Sequence, residues 1–143
     1  MTKTAFLFAG QGAQYLGMGR ELYDQYAIVK ETIDQASQVL GYDLRDLIDN
    51  DETKLNQTRY TQPAILATSV AIYRLLKEKV YQPDMVAGLS LGEYSALVAS
   101  GALNFEDAVA LVAKRGAYME EAAPAGSGKM VAVLNTPVEV IEQ

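Results

Sequence analysis

An α/β core built on a parallel sheet is the fold class this sequence predicts, and three observations predict it. Two short apolar runs, Lys3 to Ala9 and Asp84 to Ala87, each end at a glycine-bearing turn that leads into helical periodicity. Strand and helix signals alternate along the chain, as they do when parallel strands are joined by crossover helices. The second junction, Gly88-Leu89-Ser90-Leu91-Gly92, holds a lone serine between two glycines at a strand-to-helix turn. So tight a turn strains the backbone of its apex residue and pushes that side chain outward. Glycines two residues to either side relieve the contact between strand and helix, because they carry no Cβ.

Composition narrows the function classes. The chain has 143 residues, half of them hydrophobic and 21% charged, which suits one soluble domain with a sizeable core. A net charge of −6 and a pI of about 4.6 give no electrostatic footprint for nucleic acid or an anionic membrane. There is no cysteine, hence no disulfide, thiol nucleophile or thiolate metal site. The run Ala5 to Ala9 is too short for a signal-peptide core and no stretch approaches membrane-spanning length, so the cytoplasm is the expected compartment. There is also no histidine, so any serine chemistry lacks the commonest general base within this sequence.

Taken in order, Lys3 to Ala9 reads as a buried parallel strand. The loop Gly10-Gln11-Gly12-Ala13-Gln14 after it could bring backbone N–H groups close to a ligand, or could be a flexible βα turn. Arg20 to Gly41 reads as mostly one helix, with Leu22, Tyr26, Val29, Ile33, Ala36 and Leu40 at helical steps and Gly41 as its stop. Asp43 opens a short helix, and Asp49 to Arg59 reads as a polar surface connection. Thr61-Gln62-Pro63 begins the next helix, with proline in its first turn. Ala64 to Leu76 is apolar on most faces, so that helix is expected at the centre. After the elbow, Leu91 to Ser100 forms a short helix rich in small residues. Asn104 caps another that runs to about Ala122 and stops at Pro124. Ala125 to Gly128 is a linker, Lys129 to Leu134 reads as a strand, and Thr136-Pro137 begins a helix only about two turns from Gln143. Residues 1–124 are thus one core unit, with the linker and the start of a second unit in 125–143.

Two residues stand out chemically. Ser90 is either a nucleophile presented by the elbow or a serine capping the following helix, and the N–H of Leu91 falls where helix donors are free. A match to this glycine–serine–glycine pattern arises by chance in about 5% of chains this long, and here it also has a strand before it and a helix after it. Arg115 has Leu111, Val112, Tyr118 and Met119 as its helical neighbours. A guanidinium on such a stripe either snorkels to solvent or meets an anion, and a carboxylate fits its planar fork best. Lys114 belongs at the edge of the stripe, and Glu93 suits the dipole of a first helical turn.

Four segments in this order resemble one family, the malonyl-CoA:acyl carrier protein transacylases of fatty acid synthesis and the related acyltransferase domains of polyketide synthases. They are Phe6 to Gln14, Tyr60-Thr61-Gln62-Pro63-Ala64, Gly88 to Glu93, and Lys114-Arg115-Gly116 with Met119. The resemblance implies that Ser90 accepts the malonyl group of malonyl-CoA and passes it to the phosphopantetheine thiol of acyl carrier protein. It implies that the backbone N–H groups of Gln11 and Leu91 form the oxyanion hole and that Arg115 pairs with the malonyl carboxylate. No cofactor, metal, nucleic acid or membrane is implied, and the parent enzyme is expected to be monomeric. The start at Met1 suggests a free-standing enzyme rather than an embedded module.

Two departures qualify these implications. Leu89 stands where many members have histidine. The family's catalytic histidine lies in the second half of a chain about twice this long, along with most of a small ferredoxin-like subdomain whose first strand and helix would be Lys129 to Gln143. The sequence therefore looks truncated, and it is expected to show little or no transacylase activity alone. Two other readings compete. One is a serine acyl hydrolase, either an α/β-hydrolase esterase or a patatin-like lipase, in which Arg115 has no role. The other is a non-catalytic fragment that binds carrier protein or its own second half.

Overall fold

β1 (Ala5–Phe8) and β2 (Met85–Gly88) lie side by side and parallel, Ala5 opposite Met85 and Phe8 opposite Gly88. The computed structural model describes residues 2–79 and 81–142, so the chain ends noted above, Met1 and Gln143, fall outside the described residues. Between the strands run α1 (Arg20–Gln25), α2 (Ala27–Leu40), α3 (Leu44–Asn50), α4 (Glu52–Leu55) and α5 (Thr58–Glu78). After β2 come α6 (Leu91–Ala99), α7 (Phe105–Ala122) and the one-turn α8 (Val138–Ile141). The parallel α/β class is what the sequence predicts.

α5 is the hub. Its residues from Thr61 through Ala67 are buried without interruption, as the apolar run predicts, and α2, α6 and α7 pack around it. Val29 and Ile33 of α2, Leu44 and Ile48 of α3 and Val109 and Val112 of α7 complete one core with it. On the sheet, Phe6 and Phe8 meet the edge of Tyr73 of α5. The expected caps form: the side chains of Asp43 and Asn104 accept the N–H groups of Asp46 and Glu106, and Gly41 takes the left-handed conformation at φ 77°.

Five sequence expectations are corrected. The helix from Arg20 is broken at Tyr26, whose extended backbone (φ −124°, ψ 118°) ends α1 and opens α2. The apolar spacing runs on through that break, so periodicity alone does not reveal it. The connection 49–59 is partly helical, because Asp51 caps the single turn of α4 around a fully buried Leu55. α5 begins at Thr58, which places Pro63 in its second turn rather than its first. Proline has no N–H to give the Arg59 carbonyl, and packing holds this stretch helical instead. β1 is buried on one face only, since Phe8 is 8% exposed and Leu7 80%. Lys129 to Leu134 forms no strand, having no partner strand among the described residues, and Met130 and Leu134 lie exposed.

Candidate active site

The site begins where β2 ends. Leu89 still donates its N–H to the Phe8 carbonyl at 3.2 Å, and Ser90 then turns to φ 52°, ψ −107°. A non-glycine residue there carries strain of about 1–3 kcal/mol, and the flanking glycines show what maintains it. A Cβ on Gly88 would lie 2.0 Å from the Gly92 carbonyl oxygen, and one on Gly92 would lie 2.1 Å from that of Phe8. Both contacts are with backbone, so neither position accepts a side chain. Ser90 occupies the N-cap of α6 but its side chain makes no capping bond. The capping alternative is therefore not realised, and the hydroxyl points to the site.

The loop after β1 lies against this turn. A Cβ on Gly10 would meet the Leu89 carbonyl oxygen at 2.5 Å. The loop is also tied down by side chains. Gln11 Nε2 donates to Thr58 Oγ1 at 3.0 Å, the Gly12 N–H donates to Gln14 Oε1 at 2.8 Å, and Gln14 Nε2 donates to Asn56 Oδ1 at 3.0 Å. Among the described residues, neither the Gln11 nor the Leu91 N–H is taken up by a protein acceptor. The loop and the elbow thus each offer one open backbone donor.

Arg115 approaches from α7. Its Nη2 donates to Ser90 Oγ at 3.2 Å, its Nη1 donates to Gln62 Oε1 at 2.9 Å, and its Cζ lies 5.4 Å from the centre of the Tyr94 ring. The side chain therefore reaches the elbow, and the snorkelling alternative does not describe it. Among the described residues no carboxylate pairs with Arg115, although Arg20, Arg45 and Arg59 each have one. Lys114 is exposed beside it, and Glu93 is exposed in the first turn of α6, both as expected. No aspartate bonds to Ser90 among the described residues, and the sequence has no histidine to do so.

Three contributors escaped the sequence reading. Gln62 is fully buried and spends its Nε2 on the Met119 sulfur at 3.2 Å, leaving Oε1 to hold the guanidinium. Nothing local marks it, since it stands between Thr61 and Pro63 ahead of the apolar run from Ala64. Gly116 lets α7 touch α5 backbone to backbone, since a Cβ there would stand 2.7 Å from the Thr58 carbonyl oxygen and 2.8 Å from Arg59 Cα. Tyr94, which supplies the ring beside Arg115, is set one turn beyond Ser90 by the helix itself. A concavity of about 770 Å³ between the 9–22 segment and α5 includes neither Ser90 nor Arg115. Among the described residues no grouping of acidic side chains could hold a metal, and no helix is long and apolar enough to cross a membrane.

Comparison with known proteins places this geometry. The acyl transferase domain family matches residues 5–142. The malonyl CoA-acyl carrier protein transacylase of Bacillus subtilis is 51% identical over 144 residues, covering 100% of this chain and 45% of that protein. The chain thus spans about half the length of the curated relatives it matches. The crystal structure of MCAT from Streptococcus pneumoniae superposes with a TM-score of 0.92 at 91% identity, over 98% of this chain and 46% of that one. A malonyl-transacylase in complex with its type II PKS acyl-carrier protein superposes with a TM-score of 0.84 at 49% identity, over 87% of this chain and 41% of that one.

Proposed function

We propose, from the premise that this chain belongs to the acyl transferase domain family, that it carries the nucleophile and acyl-recognition half of a malonyl transferase. The enzyme moves a malonyl group from malonyl-CoA to the phosphopantetheine thiol of acyl carrier protein in fatty acid biosynthesis. The observation that carries this reading is Arg115, held 3.2 Å from Ser90 Oγ with no carboxylate of its own among the described residues.

Ser90 Oγ attacks the thioester carbonyl and its proton passes to a base. The tetrahedral oxyanion is met by the N–H groups of Gln11 and Leu91, a reading supported by their having no protein acceptor among the described residues. The C–S bond breaks, CoA leaves as the thiol, and Ser90 carries the malonyl ester. The carrier-protein thiol then attacks the ester and the same steps run in reverse. The malonyl carboxylate takes Arg115 Nη2 from the serine while Nη1 stays on Gln62, so one arginine serves the empty and the acylated site. An acetyl group supplies no carboxylate, which favours malonyl. The exchange is redox-neutral and calls for no cofactor beyond its two thiol carriers.

The base belongs to the portion of the relatives that this chain does not span, and with it most of a ferredoxin-like subdomain opened by residues 125–143. Residues 1–124 then form the core of a monomeric, cytoplasmic enzyme. A lipase-type Ser-Asp dyad has no support, since no aspartate reaches Ser90 among the described residues. The test is acyl trapping in a full-length protein that carries these residues, read by intact mass. Malonyl-CoA should label Ser90 stoichiometrically, Ser90→Ala should remove the label, and the 143-residue chain should label slowly or not at all. Label retained in Ser90→Ala would refute the acyl-serine route.

A further inference from the structure

The second glutamine of the Gly-Gln-Gly-Ala-Gln loop has no part in the chemistry above, yet its side chain is committed at both ends. Gln14 Oε1 accepts the Gly12 N–H at 2.8 Å, and Gln14 Nε2 donates to Asn56 Oδ1 at 3.0 Å. Gly12 sits at φ 108° with nothing within 4 Å of where a Cβ would stand. Steric crowding therefore does not account for glycine there, and the backbone conformation does. That conformation turns the Gly12 N–H back to Gln14, while the N–H one residue earlier has no protein acceptor among the described residues.

Asn56 is a firm post. It closes α4, which Asp51 caps, and the Thr61 hydroxyl ties this junction by donating to the Leu55 carbonyl at 2.5 Å. Two residues on, Thr58 takes the Gln11 side chain. The loop is thus pinned to the α4–α5 junction at two points, Gln11 and Gln14, that bracket Gly12. We propose that Gln14 is a positioning residue that selects which loop N–H faces the acyl group. By holding the Gly12 N–H it fixes the Gln11–Gly12 peptide and takes that donor out of the site, next to the Gly10–Gln11 peptide that presents the Gln11 N–H and whose carbonyl accepts the Ala13 N–H at 3.4 Å. This rests on the acyl-serine reading for its catalytic consequence, and on geometry alone for its structural one.

Two measurements test it. In the 143-residue chain, backbone ¹⁵N relaxation of Gln14→Leu should show Gln11 and Gly12 falling from rigid order parameters near about 0.85 to below about 0.6, with α7 unchanged. Gln14→Glu keeps the acceptor for Gly12, and Asn56 can turn its amide to donate, so that variant should stay rigid. In a full-length protein carrying these residues, Gln14→Leu should slow single-turnover malonylation by about 10²–10³, the scale of one lost oxyanion donor, with malonyl-CoA affinity within about threefold. Gln14→Glu should restore the rate. A loop as rigid in Gln14→Leu as in the parent, or a mobile loop with an unchanged acylation rate, would overturn the proposal. Label persisting in Ser90→Ala would instead overturn the acyl-serine reading, and the relaxation result would still decide the positioning.

Discussion

Gly116→Ala is the sharpest single perturbation of this site, because it adds one methyl group far from any reacting atom. The new Cβ would stand 2.7 Å from the Thr58 carbonyl oxygen and 2.8 Å from Arg59 Cα. Both are backbone atoms of α5, so no rotamer change relieves the contact and α7 must withdraw by roughly half an ångström or more to restore van der Waals distance. Alanine gains about 1 kcal/mol over glycine in helix propensity, whereas forced overpacking costs about 1–3 kcal/mol. The net runs from about zero to a loss of about 2 kcal/mol, or a fall in thermal midpoint of up to about 8 °C at about 2–4 °C per kcal/mol. The same withdrawal carries Arg115 away from Gln62, whose bond to it is 2.9 Å long. Losing a hydrogen bond to a charged group is worth about 1.5–3 kcal/mol, so preference for malonyl- over acetyl-CoA should fall about tenfold or more. The assay is kcat/KM for both donors in a full-length protein, beside thermal melts of the 143-residue chain. A variant that melts higher than the parent and keeps its donor preference would refute the argument, since helix propensity would then have prevailed over the contact.

Arg115→Ala should abolish the malonyl preference, and Arg115→Lys should not restore it, because an ammonium cannot hold Gln62 and a carboxylate in one planar fork; the ratio of the two donors' kcat/KM decides. Ser90→Gly should raise stability by about 1 kcal/mol, since the strain of φ 52° disappears, and should lose all acyl labelling; denaturant midpoints and intact mass check the two halves. Burial disfavours the charged form of Asp49, but the bonds from Arg45 and Arg20 outweigh it and hold its carboxyl below the ordinary carboxylate range. A depressed carboxyl stabilises the fold fully above the unfolded value of about 4 and loses that contribution as pH falls below it. Asp49→Asn should therefore flatten the decline of the urea midpoint in acid and lower the midpoint at neutral pH.

The parts legible in the sequence are those whose cause lies within a few residues. The elbow is one, because the clash that excludes a side chain at Gly88 arises with Gly92 across a single turn, although Gly92 itself is held bare by Phe8 of the neighbouring strand. The caps at Asp43 and Asn104 are likewise local, as is the apolar setting of Arg115. The rest depends on distant partners. Gln62 meets Arg115 53 positions away in sequence, and Gln14 meets Asn56 42 positions away. Nothing in a single sequence distinguishes those amides from others. Pro63 reads as a first-turn residue until the packing that extends α5 back to Thr58 is seen. Lys129 to Leu134 shows the converse, since its alternation calls for a partner strand that the described residues do not supply.

The elbow also determines which changes evolution could try at this turn. Positions 88 and 92 admit no side chain at all, and position 90 sits at a positive φ that a β-branched residue adopts only as an outlier. Threonine is thus a poor heir to the serine, while cysteine, which is unbranched at Cβ, would fit. Leu89 is different: its side chain is 75% exposed and supports no part of the fold. Leucine there and the histidine that the family resemblance leads one to expect are interchangeable as far as the backbone is concerned. A substitution at position 89 therefore probes solvent and substrate, whereas one at 88, 90 or 92 probes the turn.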